Sequence, residues 1–217
     1  MRLLACLLFA PAATLAIGLQ DAPVGSKVGG TIQLGNKYIP LEAGEWTLIA
    51  SHKWTGSTDR VLQGTNFAGV YVAEIKDGRV TRAVQAWGNV DPGQHRRWRQ
   101  EVDPCKPKEK LLARRDFSQN DENQFCFDVQ EIRGYMKKST GWRMNAQQWL
   151  AENKVAVPPD VLFVRFARLE RAFWTEVYYY FDATQLGADP AQRVQAAVSW
   201  AEKNVDAVRK GLATPGP

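Results

Sequence analysis

The sequence predicts an α+β domain: mainly antiparallel β-sheet, partly sandwich- or barrel-like, covered by a C-terminal amphipathic helix. Three observations carry this expectation. Short β-prone runs alternate with Gly, Asn and Asp turns through the first half of the chain. Asp77-Gly78 stands between two alternating runs, the two-residue signature of a type I′ hairpin. A sole long helical stripe comes last, after all the strand patterns.

The chain opens on Met1-Arg2 and an almost wholly apolar stretch from Leu3 to Ile17. That stretch falls short of the roughly 20 residues of a membrane span. With small residues before Gln20-Asp21 it reads as a signal peptide over 1–16, cleaved near Ala16. A retained N-terminal anchor is the alternative. The remainder, 17–217, reads as one domain that is periplasmic or secreted and has no transmembrane span. Discounting Cys6 with the leader leaves Cys105 and Cys126, an even pair that predicts a disulfide in an oxidising compartment.

Strands are expected over 31–34, 37–41 and 46–51, then over 67–76 and 79–87 around the Asp77-Gly78 turn. That turn sets Ile75 opposite Val80 and Tyr71 opposite Val84, with Glu74 and Thr81 on the wetter side. Residues 91–123 are polar, charged and interrupted by prolines, and read as a long cationic excursion. A strand is expected over 124–132, where Phe125, Phe127 and Val129 alternate against Cys126, Asp128 and Gln130. Asn145 is expected to cap a short helix ending at Asn153. Two dense strands follow over 161–169 and 173–181. In the second, Tyr178 and Tyr180 share one face while Tyr179 takes the other.

The last helix is predicted from Asp189 as N-cap and Pro190 as first residue, with Gly211 ending it. Val194, Val198, Ala201, Val205, Val208 and Leu212 recur at steps of three and four, a stripe suited to covering a sheet.

Composition narrows function more by exclusion than by signature. The 217 residues hold 28 Lys and Arg against 23 Asp and Glu, and only His52 and His95. No pair of His sits at ligand spacing, so no metal site and no cofactor are expected. Phosphate-cradling glycine loops and the nucleophile elbow are both missing from the sequence. The expectation is therefore a protein that is not an enzyme. The rival is a carboxylate-dependent hydrolase of an envelope polymer with Glu176 as its acid, since Glu176 shares a strand face with Trp174, Tyr178 and Tyr180.

The basic surplus is local. Eight cations and three acids lie between residues 95 and 115, a segment charge of +5 that equals the formal charge of the whole chain. Arg96, Arg97, Trp98 and Arg99 are the candidate ligand-binding residues there. Three guanidinium groups around an indole suit an anionic lipid, an acidic glycan or an acidic face of an envelope protein. Export argues against nucleic acid, which favours the same composition. The eight Trp are dispersed and read mainly as core, with sugar-stacking platforms as the functional alternative.

Three stretches taken together, residues 39–46 (IPLEAGEW), 176–182 (EVYYYFD) and the helix around Trp200, resemble exported proteobacterial proteins of unassigned function. The resemblance implies an envelope location in a Gram-negative bacterium. It implies no catalytic residue. The expected function is binding of an anionic envelope ligand or a protein partner.

Overall fold

The computed structural model describes residues 18–56, 64–91, 103–106, 110–120, 123–137, 139–170 and 172–213. The signal-peptide segment 1–16 lies outside them. Among the described residues ten strands run as β1 (Lys27–Val28), β2 (Thr31–Leu34), β3 (Lys37–Pro40), β4 (Trp46–Thr55), β5 (Asn66–Lys76), β6 (Arg79–Asn89), β7 (Ala113–Asn120), β8 (Asn123–Arg133), β9 (Asp160–Glu170) and β10 (Phe173–Asp182). Helix α1 (Arg143–Glu152) precedes β9, and α2 (Pro190–Leu212) ends the fold. Eight strands form one antiparallel sheet in the order β1-β4-β5-β6-β10-β9-β8-β7, while β2 and β3 pair separately. The large sheet is open. One edge is the two-residue β1, and the other, β7, carries Arg114, Arg115 and Asp116, both ordinary ways of blunting an edge.

Both faces of the sheet are buried. On the first, Leu48, Val72, Val84, Val177, Tyr179, Phe166 and Phe127 pack against Ala197, Ala201, Val208 and Leu212 of α2 and against the small β2-β3 hairpin. The stripe read from the sequence is therefore a sheet-covering face. Asp189 caps α2 by accepting from the Gln192 amide, and Pro190 is its first residue. Gly211 does not end the helix, which continues to Leu212. A Cβ on Gly211 would stand 1.9 Å from the Tyr38 carbonyl oxygen, so glycine is there to let two backbones meet.

On the second face Ile49, Ala50, Tyr71, Ala73, Ala83, Phe163 and Tyr180 pack under α1 and the turn that precedes it. Asn145 lies inside α1 and does not cap it; the N-cap is Trp142. That indole covers Gly69 so closely that a Cβ there would come within 2.8 Å of it.

The Asp77-Gly78 turn forms as expected, both residues having positive φ (49° and 70°). Ile75 does face Val80, but Tyr71 faces Gln85 rather than Val84. Thr81 is an extra residue in β6, a bulge that reverses the alternation beyond it. Arg82 is thereby set opposite Glu74. Glu74 is 2% exposed and not on a wet side at all. Arg82 grips it through Nε and Nη2, each at 2.8 Å, and Thr81 Oγ1 donates to it at 2.7 Å. The same guanidinium pairs with Glu42, whose other oxygen accepts from Trp200 Nε1 of α2 at 2.7 Å. Tyr179 donates to the Pro40 carbonyl at 3.0 Å. Residues 39–46, the strand at 176–182 and the helix around Trp200 thus meet at one joint.

The excursion 91–123 is not irregular throughout, because 113–120 is β7. Arg115 pairs with Glu202 of α2 at 2.9 Å, and Arg114 Nε donates to both Asp116 oxygens at 2.9 and 3.0 Å. Two of the eight cations are therefore paired on the folded domain, Arg114 largely covered and Arg115 on the surface.

The hydrogen bonds from Arg82 hold the Glu74 carboxyl down at about 2, against 4.5 unperturbed. A depressed carboxyl stabilises the fold above its unfolded value, and that contribution is lost as pH falls from about 4.5 towards 2. The loss is on the order of 3 kcal/mol. Urea denaturation between pH 6 and pH 2 should show it, and Arg82→Ala should be less stable at neutral pH with a shallower acid dependence over that interval.

Candidate functional site

Glu176 lies in β10 beside Tyr178, as its strand position requires, but the surroundings are not those of an acid catalyst. Its carboxylate is 3% exposed, accepts from the Tyr178 hydroxyl, and faces Arg165 Nη1 at 3.3 Å. Arg165, from β9, has no exposed surface. Its Nε and Nη2 donate to Asp128 Oδ2 of β8 at 2.8 and 2.6 Å, and Nη2 also donates to the Pro104 carbonyl at 2.9 Å. Burial alone would lower the Arg165 pKa, but Glu176 and Asp128 outweigh it and hold the guanidinium charged. The two carboxylates close on one cation and leave no reacting atom for a substrate to approach. This cluster is structural.

The Cys105–Cys126 disulfide forms, with a Cα separation of 5.8 Å. It ties residues 103–106 to β8 directly over Arg165. Arg96, Arg97, Trp98 and Arg99 lie outside the described residues. Seven of the eight Trp are described. Trp54, Trp87 and Trp174 gather half-buried with Phe67 and Leu169 at one end of the second face, and Trp46 and Trp200 belong to the clamp around Glu42.

A concavity lies elsewhere, between the second face and the turn that leads into α1. It is a pocket of about 390 Å³. Its floor is phenolic: Tyr71 of β5 and Tyr180 of β10 stack with ring centroids 5.8 Å apart, and Tyr135 from the turn packs on Tyr180 at 5.1 Å. The Tyr71 and Tyr135 hydroxyls hydrogen-bond to one another, and Tyr180 donates to Gln85 Oε1 at 3.0 Å. Burial pushes all three phenols well above their ordinary value, with Arg143 pulling each part of the way back. They stay neutral at physiological pH and add hydrogen-bonding groups without adding negative charge.

The walls are cationic. Arg133 at the end of β8, Lys137 in the turn and Arg143 at the start of α1 line the pocket together with the hydroxyl residues Ser139 and Thr140. Among the described residues no carboxylate lines it. Arg133 has a long contact with Glu131 at 3.5 Å on an open surface, too weak to neutralise it. The start of the turn is fixed twice: the Tyr135 amide donates to the Pro159 carbonyl at 2.9 Å, and the Gly134 amide to Asp160 Oδ1 at 3.3 Å.

Sequence reasoning passed over this site because its residues come from 71, 132–143 and 180 and converge only through the sheet. A local signal existed in the four cations over 133–143 (Arg133, Lys137, Lys138 and Arg143), just after a strand.

Compared with protein-family models, curated proteins and solved structures, the chain matches none. Among the described residues no helix is long and apolar enough to cross a membrane. The disulfide accords with an oxidising compartment.

Replacing Arg165 by Met would bury Asp128 and Glu176 without a counter-charge. Arg165→Met should cost about 3–5 kcal/mol, read as a lowered denaturation midpoint.

Proposed function

We propose that this chain is an exported, non-enzymatic protein of the Gram-negative envelope that binds an anionic ligand, and that the phenol-floored pocket holds it. One observation carries the reading: among the described residues, three cations and three neutral phenols line a cavity of ligand size and no carboxylate does. Charge-assisted hydrogen bonds from Arg133, Lys137 and Arg143 select the anion, and the tyrosine floor excludes water beneath it. The cationic segment that contains Arg96, Arg97, Trp98 and Arg99 supplies long-range attraction, and the pocket supplies the contact. Retention outside the cytoplasm follows from the leader over residues 1–16 and accords with the disulfide.

Butyl phosphate is a suitable probe, carrying the charge with little apolar surface. Titrated at low salt against the isotope-labelled protein, it should give saturable amide shifts concentrated in residues 133–143, with affinity falling as NaCl rises. Lys137→Gln combined with Arg143→Gln should weaken binding about tenfold or more, since a hydrogen bond to a charged group contributes roughly 1.5–3 kcal/mol. Both residues are exposed, so the fold should be retained. Unchanged affinity in that variant would overturn the assignment.

A further inference from the structure

The phenol-floored pocket does not stand alone. Across the Tyr135-Met136-Lys137 turn lies a second cavity of about 350 Å³, and those three residues line both. Its character is different. Leu150 and Ala151 of α1 form one side, and Val155, Val157, Pro158 and Pro159 form the other. Among the described residues Lys137 alone brings a charge to it, at the junction with the first cavity, and Gln147 adds an amide.

The apolar side is held in place by the hairpin tip. Ala156 exchanges backbone hydrogen bonds with β6 and its turn, donating to the Gly78 carbonyl at 2.8 Å and accepting from the Val80 amide at 2.9 Å. The dividing turn is built at a conformational cost: Met136 holds φ at +61°, a region that a side chain of its size rarely enters. Its thioether is also the most adaptable apolar group available for a wall that a flexible chain must cross.

We infer that the two cavities are the two halves of one site, and that its ligand is a single-chain anionic lipid. The carboxylate or phosphate monoester sits among Arg133, Lys137 and Arg143. The acyl chain passes over Met136 into the apolar cavity. This deepens the anion-binding reading and rests on it, by naming the substrate class that the same site takes. Charge complementarity places the head on one side of the wall, and the shared lining residues Tyr135, Met136 and Lys137 make the apolar cavity its immediate neighbour, where the tail goes. A compact anion would use the first cavity only and leave the second without an occupant.

The two readings separate in one experiment. Butyrate, hexanoate, octanoate and decanoate are titrated calorimetrically into the full protein below their aggregation concentrations, together with butyl, hexyl, octyl and decyl phosphate. Affinity should rise about threefold for each methylene that enters the apolar cavity, so that decanoate or decyl phosphate binds at least a hundredfold more tightly than its four-carbon partner. The series whose short member binds more tightly identifies the head group. Ala151→Trp places a large side chain on an exposed helix position that lines the apolar cavity, and should remove most of that gain while leaving the four-carbon compounds unaffected.

Affinity independent of chain length, with the short anions still bound, would overturn the lipid inference and leave the anion site standing. No binding by any anion would overturn both. Decanol binding as tightly as decanoate would show that charge is not recognised, and would also overturn both. Should Ala151→Trp fail to fold, the chain-length series on the natural sequence decides alone.

Discussion

A wholly buried guanidinium organises the second face of this protein. Arg165 cannot lie in the middle of a sheet without compensation, and Asp128 and Glu176 from the strands on either side supply it. Two carboxylates around one cation leave a surplus negative charge, which the Tyr178 hydroxyl moderates by donating to Glu176. Arg165 also donates to the Pro104 carbonyl, and so needs chain above the sheet as well as within it. The disulfide holds that chain in place. Such clusters contribute little net stability, but they penalise every arrangement that separates their members. Strands β8, β9 and β10 and the segment at 103–106 are thereby fixed in one register.

The first face is tied by a second cation placed by a bulge. The extra residue Thr81 brings Arg82 under Glu74, and Arg82 then reaches Glu42, whose carboxylate receives the Trp200 indole of α2. Sheet, turn and helix share this joint. With both faces fixed, what remains adjustable is the cover on the second face between β8 and β9. There the turn at 134–142, helix α1 and the strand-like segment at 155–157 meet the tyrosines of the sheet without filling the space between. The paired cavities are the consequence, and their polarity follows from the residues that each element happens to present.

Much of the fold was legible in the sequence because alternation and turn chemistry are local. The Asp77-Gly78 hairpin, the strand at 123–133 and the split of Tyr178 and Tyr180 from Tyr179 all follow from periods of two. What escaped depends on partners distant in sequence. Tyr71 was expected opposite Val84 because nothing near Thr81 announces a bulge; the pairing of Glu74 with Arg82 requires it. β7 was hidden because an edge strand rich in charge loses its alternation, and its extra residue Phe117 breaks the period again. Gly211 looked like a helix stop, yet only the approach of Tyr38 from β3 explains it. Glu176 was the acid of the rival reading only; its engagement by Arg165 and Tyr178 depends on partners that its own strand does not announce. The pocket was the least legible feature, since its floor spans more than a hundred residues of sequence.

The electrostatic picture also changes. Part of the basic segment pairs with Asp116 and Glu202, while Arg133, Lys137 and Arg143 line a cavity. The central claim is that the anion is held there rather than on the segment at 95–99. Hydrogen–deuterium exchange with and without saturating decyl phosphate tests it most directly. Protection concentrated in residues 133–143 and 155–159 is the result expected. Protection confined to the peptide covering Arg96 to Arg99, with the pocket residues unchanged, would contradict it.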